Sequence, residues 1–192
     1  MLARGRRPCN LRPVSRIAPA PLSSDPPRRA ERALSLPGPA ATDALGATLA
    51  RVLGPADTVL LAGPIGAGKS HLARALIQEA FRLGGAAPPE VPSPTYTLVQ
   101  PYAAPRNEIV HADLYRLGDM SELEELGLAE AFGNALCLVE WPDRLGAAAP
   151  AEALCIDLSA SGEGRRAVLS GAAQRWAGRL AGLPDPASGG AS

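Results

Sequence analysis

Short apolar runs alternate along the chain with stretches whose apolar positions recur every three to four residues, the pattern of strands laid against helices in an α/β architecture. Glu31 to Leu36 reads as an edge strand. Thr42 stands as the N-cap of a helix whose Leu45, Leu49, Val52 and Leu53 form one stripe, ended by Gly54 and Pro55. Thr58-Val59-Leu60-Leu61-Ala62 is continuously apolar, as a strand buried on both faces is. Beyond it, Leu72, Leu76, Ala80 and Leu83 mark a second helix. Glu108 to Asp113 and Ala135 to Glu140 are two further strand-like runs, each delivering a carboxylate at its end. Ser121-Glu122-Leu123-Glu124 is a capping box opening a helix with Leu123 and Leu126 inward, so its acidic run reads as a helix start and solvated face. Ala153 to Leu158, the turn Ser161-Gly162-Glu163-Gly164 and Arg165 to Ser170 predict an antiparallel hairpin that ends the sheet. Gln174 to Leu180, with Trp176 and Leu180 one turn apart, closes the domain as a helix.

Between the second strand and the second helix lies Gly63-Pro64-Ile65-Gly66-Ala67-Gly68-Lys69-Ser70, which fits the phosphate-binding pattern G-x-x-x-x-G-K-[ST] in its required strand-to-helix setting. Such a loop needs glycines because its backbone must curl until successive N–H groups point inward at phosphate oxygens. The following helix contributes its positive N-terminal end. Lys69 is placed to reach the β- and γ-phosphates and Ser70 to ligate the Mg²⁺ that bridges them. Lys69 is also the single lysine among 19 basic residues, at the one position where a compact ammonium is not replaced well by the planar fork of arginine. The expected fold is therefore an α/β, P-loop NTPase-like mixed sheet with a parallel core, an antiparallel C-terminal hairpin and helices on both faces.

Composition sharpens this picture at the ends. The chain of 192 residues is 46% hydrophobic and 20% charged, enough for one sizeable core. Residues 1–30 hold seven arginines, one acidic residue and six prolines with almost no periodicity, and read as a disordered Arg/Pro-rich arm. The domain is then 31–182, and 183–192 a disordered tail. Net charge is zero, but removing the arm leaves twelve basic against eighteen acidic residues, which argues against a phosphate-backbone-binding surface spread over the domain. No run approaches the roughly 18 apolar residues of a membrane helix, and the N-terminus lacks the apolar core of a secretory signal. Cys9, Cys137 and Cys155 have no metal or redox spacing and fit reduced thiols in a cytoplasm.

In open α/β sheets ligands lie beyond the carboxyl ends of the strands, where Asp113 and Glu140 are delivered and where a carboxylate holds Mg²⁺ or orients water. Around them three strings carry a family resemblance: Ser93-Pro94-Thr95-Tyr96-Thr97-Leu98-Val99, His111-Ala112-Asp113-Leu114-Tyr115-Arg116-Leu117, and Leu138-Val139-Glu140-Trp141-Pro142. In that order after the P-loop they closely resemble the TsaE (YjeE) family, over about residues 33–180. The resemblance implies a slow ATPase, with ATP and Mg²⁺ as cofactors, acting with TsaD and TsaB in forming threonylcarbamoyladenosine at adenosine 37 of tRNAs reading codons that begin with A. TsaD would perform the transfer, and tRNA would be met through the complex.

Carried onto this sequence, the resemblance makes Lys69, Asp113 and Glu140 the catalytic group and Ser70, Glu140 and Asp113 the metal side. Asp113 is the better candidate for water orientation or metal contact, and Glu140 for the metal. Thr95 and Thr97 fall in a switch-like loop that follows the γ-phosphate, and Trp141 lies near the nucleotide, stacking on adenine, packing a partner or plugging the sheet end. Gly63 to Ser70 and the adjacent His71 complete the nucleotide-binding set. Ala112 replaces a bulkier aromatic common before the aspartate. His111 reads as a hydrogen-bonded structural group within its strand. Two other functions are compatible with a P-loop: a small-molecule kinase, for which no Arg-bearing lid is evident after Glu140, and an ATP-binding switch with negligible hydrolysis of its own.

Overall fold

The computed structural model describes residues 28–118 and 120–189. Most of the disordered arm and the end of the tail expected from composition lie outside the described residues. Seven strands form one mixed sheet: β1 (Arg29–Leu36), β2 (Thr58–Ala62), β3 (Val99–Ala103), β4 (Glu108–Asp113), β5 (Leu136–Glu140), β6 (Leu154–Ser161) and β7 (Gly164–Ala172). Their order is β1-β7-β6-β2-β5-β4-β3. Pairing is parallel from β6 through β2 and β5 to β4, and antiparallel at both flanks. The expected parallel core is present, but the β6–β7 hairpin does not end the sheet, because β1 adds outside β7 along its whole length. Gly162, with φ of 57°, takes the first position of the two-residue turn between Ser161 and Gly164.

β1 begins at Arg29, two residues before the apolar pattern indicates, with Arg29 and Ala30 paired to Ala172 and Gly171. β3 is not evident in the sequence, where Pro101 argues against a strand. It is tolerated because β3 lies at the sheet edge, where one side of the strand has no ladder partner to donate to.

Helices α1 (Pro39–Val52), α2 (Lys69–Leu83) and α5 (Ala173–Ala181) cover one face. On it Val59, Leu61, Ile109, Leu136, Leu138, Leu154, Ile156, Leu158 and Leu169 meet Leu45, Leu49, Leu72, Leu76, Ile77, Trp176 and Leu180. The alternate strand residues, Leu60, Val110, Ala112, Cys137 and Val139, face the opposite layer. That layer comprises α3 (Met120–Glu125), α4 (Leu128–Ala131) and the 3-10 segment Pro142–Ala148. Continuous apolarity of β2 and β5 follows from this two-sided burial. Burial pushes the Cys137 thiol up to about 12, so it is inert at neutral pH.

Several boundaries differ from the pattern for local reasons. α1 starts at Pro39 after an extended Gly38, and Thr42 is buried inside its first turn rather than capping it. Proline's fixed φ suits the first helical position. Val52, assigned to the inward stripe, is exposed in the last turn. α3 begins at Met120, one residue before Ser121, so Ser121 is not its N-cap; instead the Glu122 carboxylate accepts the Gly118 N–H at 3.1 Å. The domain also extends past 182, since Leu183 is buried in the core and Pro186–Gly189 form a 3-10 turn.

One polar clasp ties this frame together. Asp57, just before β2, is buried and receives Arg175 at 2.6 Å, Arg179 at 2.5 Å and the Gly54 N–H at 2.8 Å. Arg179 also lies 4.3 Å over the Trp176 ring. Burial alone would raise the Asp57 carboxyl, but the hydrogen bonds from Arg179, Gly54 and Arg175 outweigh it and hold it at about 2. Asp57→Ala is expected to cost about 2 kcal/mol in urea unfolding at neutral pH. A group lowered on folding contributes fully above its ordinary value of 3.8 and loses that contribution as pH falls through about 2. Unfolding midpoints of wild type and variant should therefore converge between those pH values; a constant gap would contradict the assignment.

Candidate functional site

The site lies where β2, β4 and β5 end together. β2 runs into the loop Gly63–Gly68, and α2 leaves it at Lys69. Gly63, Gly66 and Gly68 have φ of 127°, 76° and 103°, values that side chains disfavour. At Gly63 there is a second reason, since a Cβ there would stand 2.2 Å from the Leu158 carbonyl oxygen on β6. The N-terminus of α2 carries no side-chain cap, so its first-turn N–H groups remain available to an anion. The Arg165 guanidinium reaches from β7 to the Gly66 carbonyl at 3.3 Å and braces the loop from outside.

Lys69 is buried with its ammonium on the loop carbonyls of Gly63 (2.8 Å) and Pro64 (2.9 Å) and 4.0 Å over the Trp141 ring. Burial lowers its pKa from the ordinary lysine value, opposed by the charges of Glu140, Asp113 and Asp143. Ser70 donates to Glu140 Oε2 at 2.9 Å, and Glu140 Oε1 meets His111 Nε2 at 2.9 Å. Asp113 stands directly beside Glu140 in the β4–β5 register. Its Oδ2 accepts Ser93 Oγ at 3.0 Å and Thr95 Oγ1 at 2.8 Å, and its Oδ1 the Tyr115 N–H at 3.1 Å. Both carboxylates are buried.

The structure thus brings together Gly63 to Ser70, Asp113, Glu140, Trp141 and Thr95. Thr97 is exposed, outside the hydroxyl pair on Asp113, and contributes its backbone carbonyl to the Val99 N–H. His71 turns toward α1 and pairs with Asp43 at 2.7 Å, beside a cavity of about 240 Å³ between the P-loop, α1 and the hairpin turn. Trp141 packs on Lys69 and, at 4.9 Å, on Tyr115. Sequence reasoning missed Ser93, whose hydroxyl doubles that of Thr95 two residues on, and the contact of His111 with Glu140. The signal for His111 was its place two residues before Asp113, on the same side of β4.

Among the described residues Leu98 and Trp141 alone combine a side chain with positive φ, 61° and 59°. Each such conformation costs on the order of 1–3 kcal/mol, and both flank the carboxylates, as backbone strain at functional sites tends to.

Ser70 Oγ, Glu140 Oε2 and Asp113 are hard oxygen donors of the kind Mg²⁺ takes. Among the described residues no cluster of three or more His, Cys, Asp or Glu is placed to hold a metal ion.

A family model described as threonylcarbamoyl adenosine biosynthesis protein TsaE matches residues 36–168. The chain belongs to the TsaE family. A protein of that description from Haemophilus influenzae is 42% identical over 87 residues, 45% of this chain and 52% of the relative. One from Bacillus subtilis is 34% identical over 131 residues, 68% of this chain and 78% of the relative. The chain thus spans about half the length of the Haemophilus relative and more of the Bacillus one. The crystal structure of Bacillus subtilis YdiB superposes with a TM-score of 0.63 at 24% identity, over 82% of this chain and 97% of that one, and shows that the mixed sheet is shared.

Gly63→Ala should lose about 2 kcal/mol or more, a fall in Tm of roughly 5 °C in a thermal melt. An unchanged melt would show that the loop does not depend on this approach to β6.

Proposed function

We propose that the chain is a Mg²⁺-dependent cytoplasmic ATPase that supports TsaB and TsaD in threonylcarbamoylation of tRNA, with tRNA met through those partners. The observation that carries this reading is the convergence of a buried lysine, a hydroxyl and two buried carboxylates on one P-loop. Membership of a family named for this biosynthesis supplies the pathway. No helix among the described residues is long and apolar enough to cross a membrane.

In this reading the loop N–H groups and the α2 N-terminus bind the phosphates. Lys69 exchanges its two carbonyl acceptors for phosphate oxygens, the same donors serving a stronger, charge-assisted contact. Ser70 and Glu140 would hold a Mg²⁺ ion, which would supply charge neutralisation to the phosphates. Asp113 orients the attacking water. Its tie to Ser93 and Thr95 links that carboxylate to the loop before β3, so occupancy of the γ-phosphate position is communicated to a surface carrying exposed Tyr96.

The test is phosphate release from Mg-ATP by the purified protein, alone and with TsaB and TsaD. Partner stimulation is expected, and Lys69→Ala should weaken ADP binding about tenfold to hundredfold and remove the stimulated rate. Transfer of the phosphate to a small metabolite, with no response to the partners, would replace this reading with a kinase. ATP binding with no release under any condition would leave a nucleotide-operated switch in its place.

A further inference from the structure

His111 is fully buried on β4, one strand in from the sheet edge and on the side covered by α2, with Ile109 before it on its own strand, Leu136 and Leu138 on β5 and Gln100 opposite it on β3. A histidine there is costly. Its Nδ1 has no hydrogen-bond partner among the described residues, and an unpaired buried polar atom forfeits its hydration without replacement. An aliphatic side chain would fill the same space without that loss, so packing does not account for the residue. Its one polar contact is Nε2 to Glu140 Oε1 at 2.9 Å. A carboxylate only accepts, so in this bond the proton lies on Nε2.

The two oxygens of Glu140 are therefore divided. Oε1 is held by the imidazole from within the sheet, and Oε2 is turned to Ser70 Oγ at 2.9 Å on the nucleotide side. We infer that His111 is the positioning residue for Glu140: by donating to Oε1 it fixes the carboxylate so that Oε2 and the Ser70 hydroxyl face a common divalent cation. The inference rests on the reading of Glu140 as a metal-side residue. An outer partner of this kind locks the ligand's rotamer before the ion arrives, and its loss typically lowers metal affinity by about 10–100-fold.

The experiment is calorimetric titration of ADP into the full chain, once in EDTA and once across a range of Mg²⁺ concentrations, with thermal melts of each variant. In EDTA, His111→Leu should bind ADP within about twofold of wild type. The Mg²⁺ concentration giving half of the affinity gain should rise about tenfold or more. His111→Gln, which offers an N–H at about the reach of Nε2, should restore the wild-type midpoint to within about threefold. A role in stability alone would lower the melt and leave the midpoint in place, and that result overturns the inference. Should His111→Leu not fold, His111→Asn decides, since its shorter amide falls short of Glu140: equal midpoints for the Asn and Gln variants overturn the inference, and a raised midpoint in Asn alone supports it. Glu140→Gln separates the two levels. If it keeps the full Mg²⁺ gain, the metal reading itself fails; if it loses the gain while the His111 variants do not, only the positioning role fails.

Discussion

Lys69, Asp113 and Glu140 are ionisable groups buried together at one corner of the sheet, where each depends on polar partners. Burial works against the lysine ammonium, and the two carboxylates work for it. Each carboxylate in turn is satisfied by hydroxyl, backbone or imidazole donors rather than by solvent. The arrangement requires that β2, β4 and β5 run parallel and end at one level, which the register achieves by placing Glu140 beside Leu61 on one side and Asp113 on the other. Much of the remaining architecture serves to hold those three strand ends together in a dry setting.

The supports are distributed around the sheet. β6 lies against the first glycine of the loop so closely that no side chain fits, and β7 sends Arg165 to the loop's far side. The antiparallel flank is thus a wall for the P-loop as well as an extension of the sheet. On the other flank β3 returns antiparallel to β4 and brings the Ser93 and Thr95 segment over Asp113, through a backbone turn that puts Leu98 at positive φ. The cost of that turn is carried by an apolar layer in which Leu98, Val99 and Trp141 pack with Leu114 and Val139.

What was legible in the sequence follows the range of the forces involved. β2 and β5 announced themselves because burial on both faces leaves no polar position, and the P-loop because its chemistry fixes residue type at fixed spacing. The parallel core and the hairpin followed. The cap of α1 was misplaced because a proline at the first helical position outweighs a threonine three residues on. β3 was hidden by Pro101, which only an edge location makes admissible. The Asp57 clasp and the contact of His111 with Glu140 span 118 to 122 and 29 residues respectively. Contacts at that range depend on strand order and register, which local pattern does not encode. Ser93 and Thr95 were visible as a motif, but their common acceptor became evident only once β4 was seen to end beneath them.

The two tryptophans of the chain both lie under cations, and the difference between those cations has an optical consequence. Arg179, over Trp176, is pinned by Asp57, and the Trp176 N–H is fixed on the Glu152 carbonyl at 2.8 Å. In the proposed function Lys69, over Trp141, would leave its loop carbonyls to engage phosphate. On that reading one indole has a constant electrostatic neighbour and the other a neighbour that would move with occupancy. The two indoles would then serve as indicator and internal reference in one emission spectrum, without any introduced label.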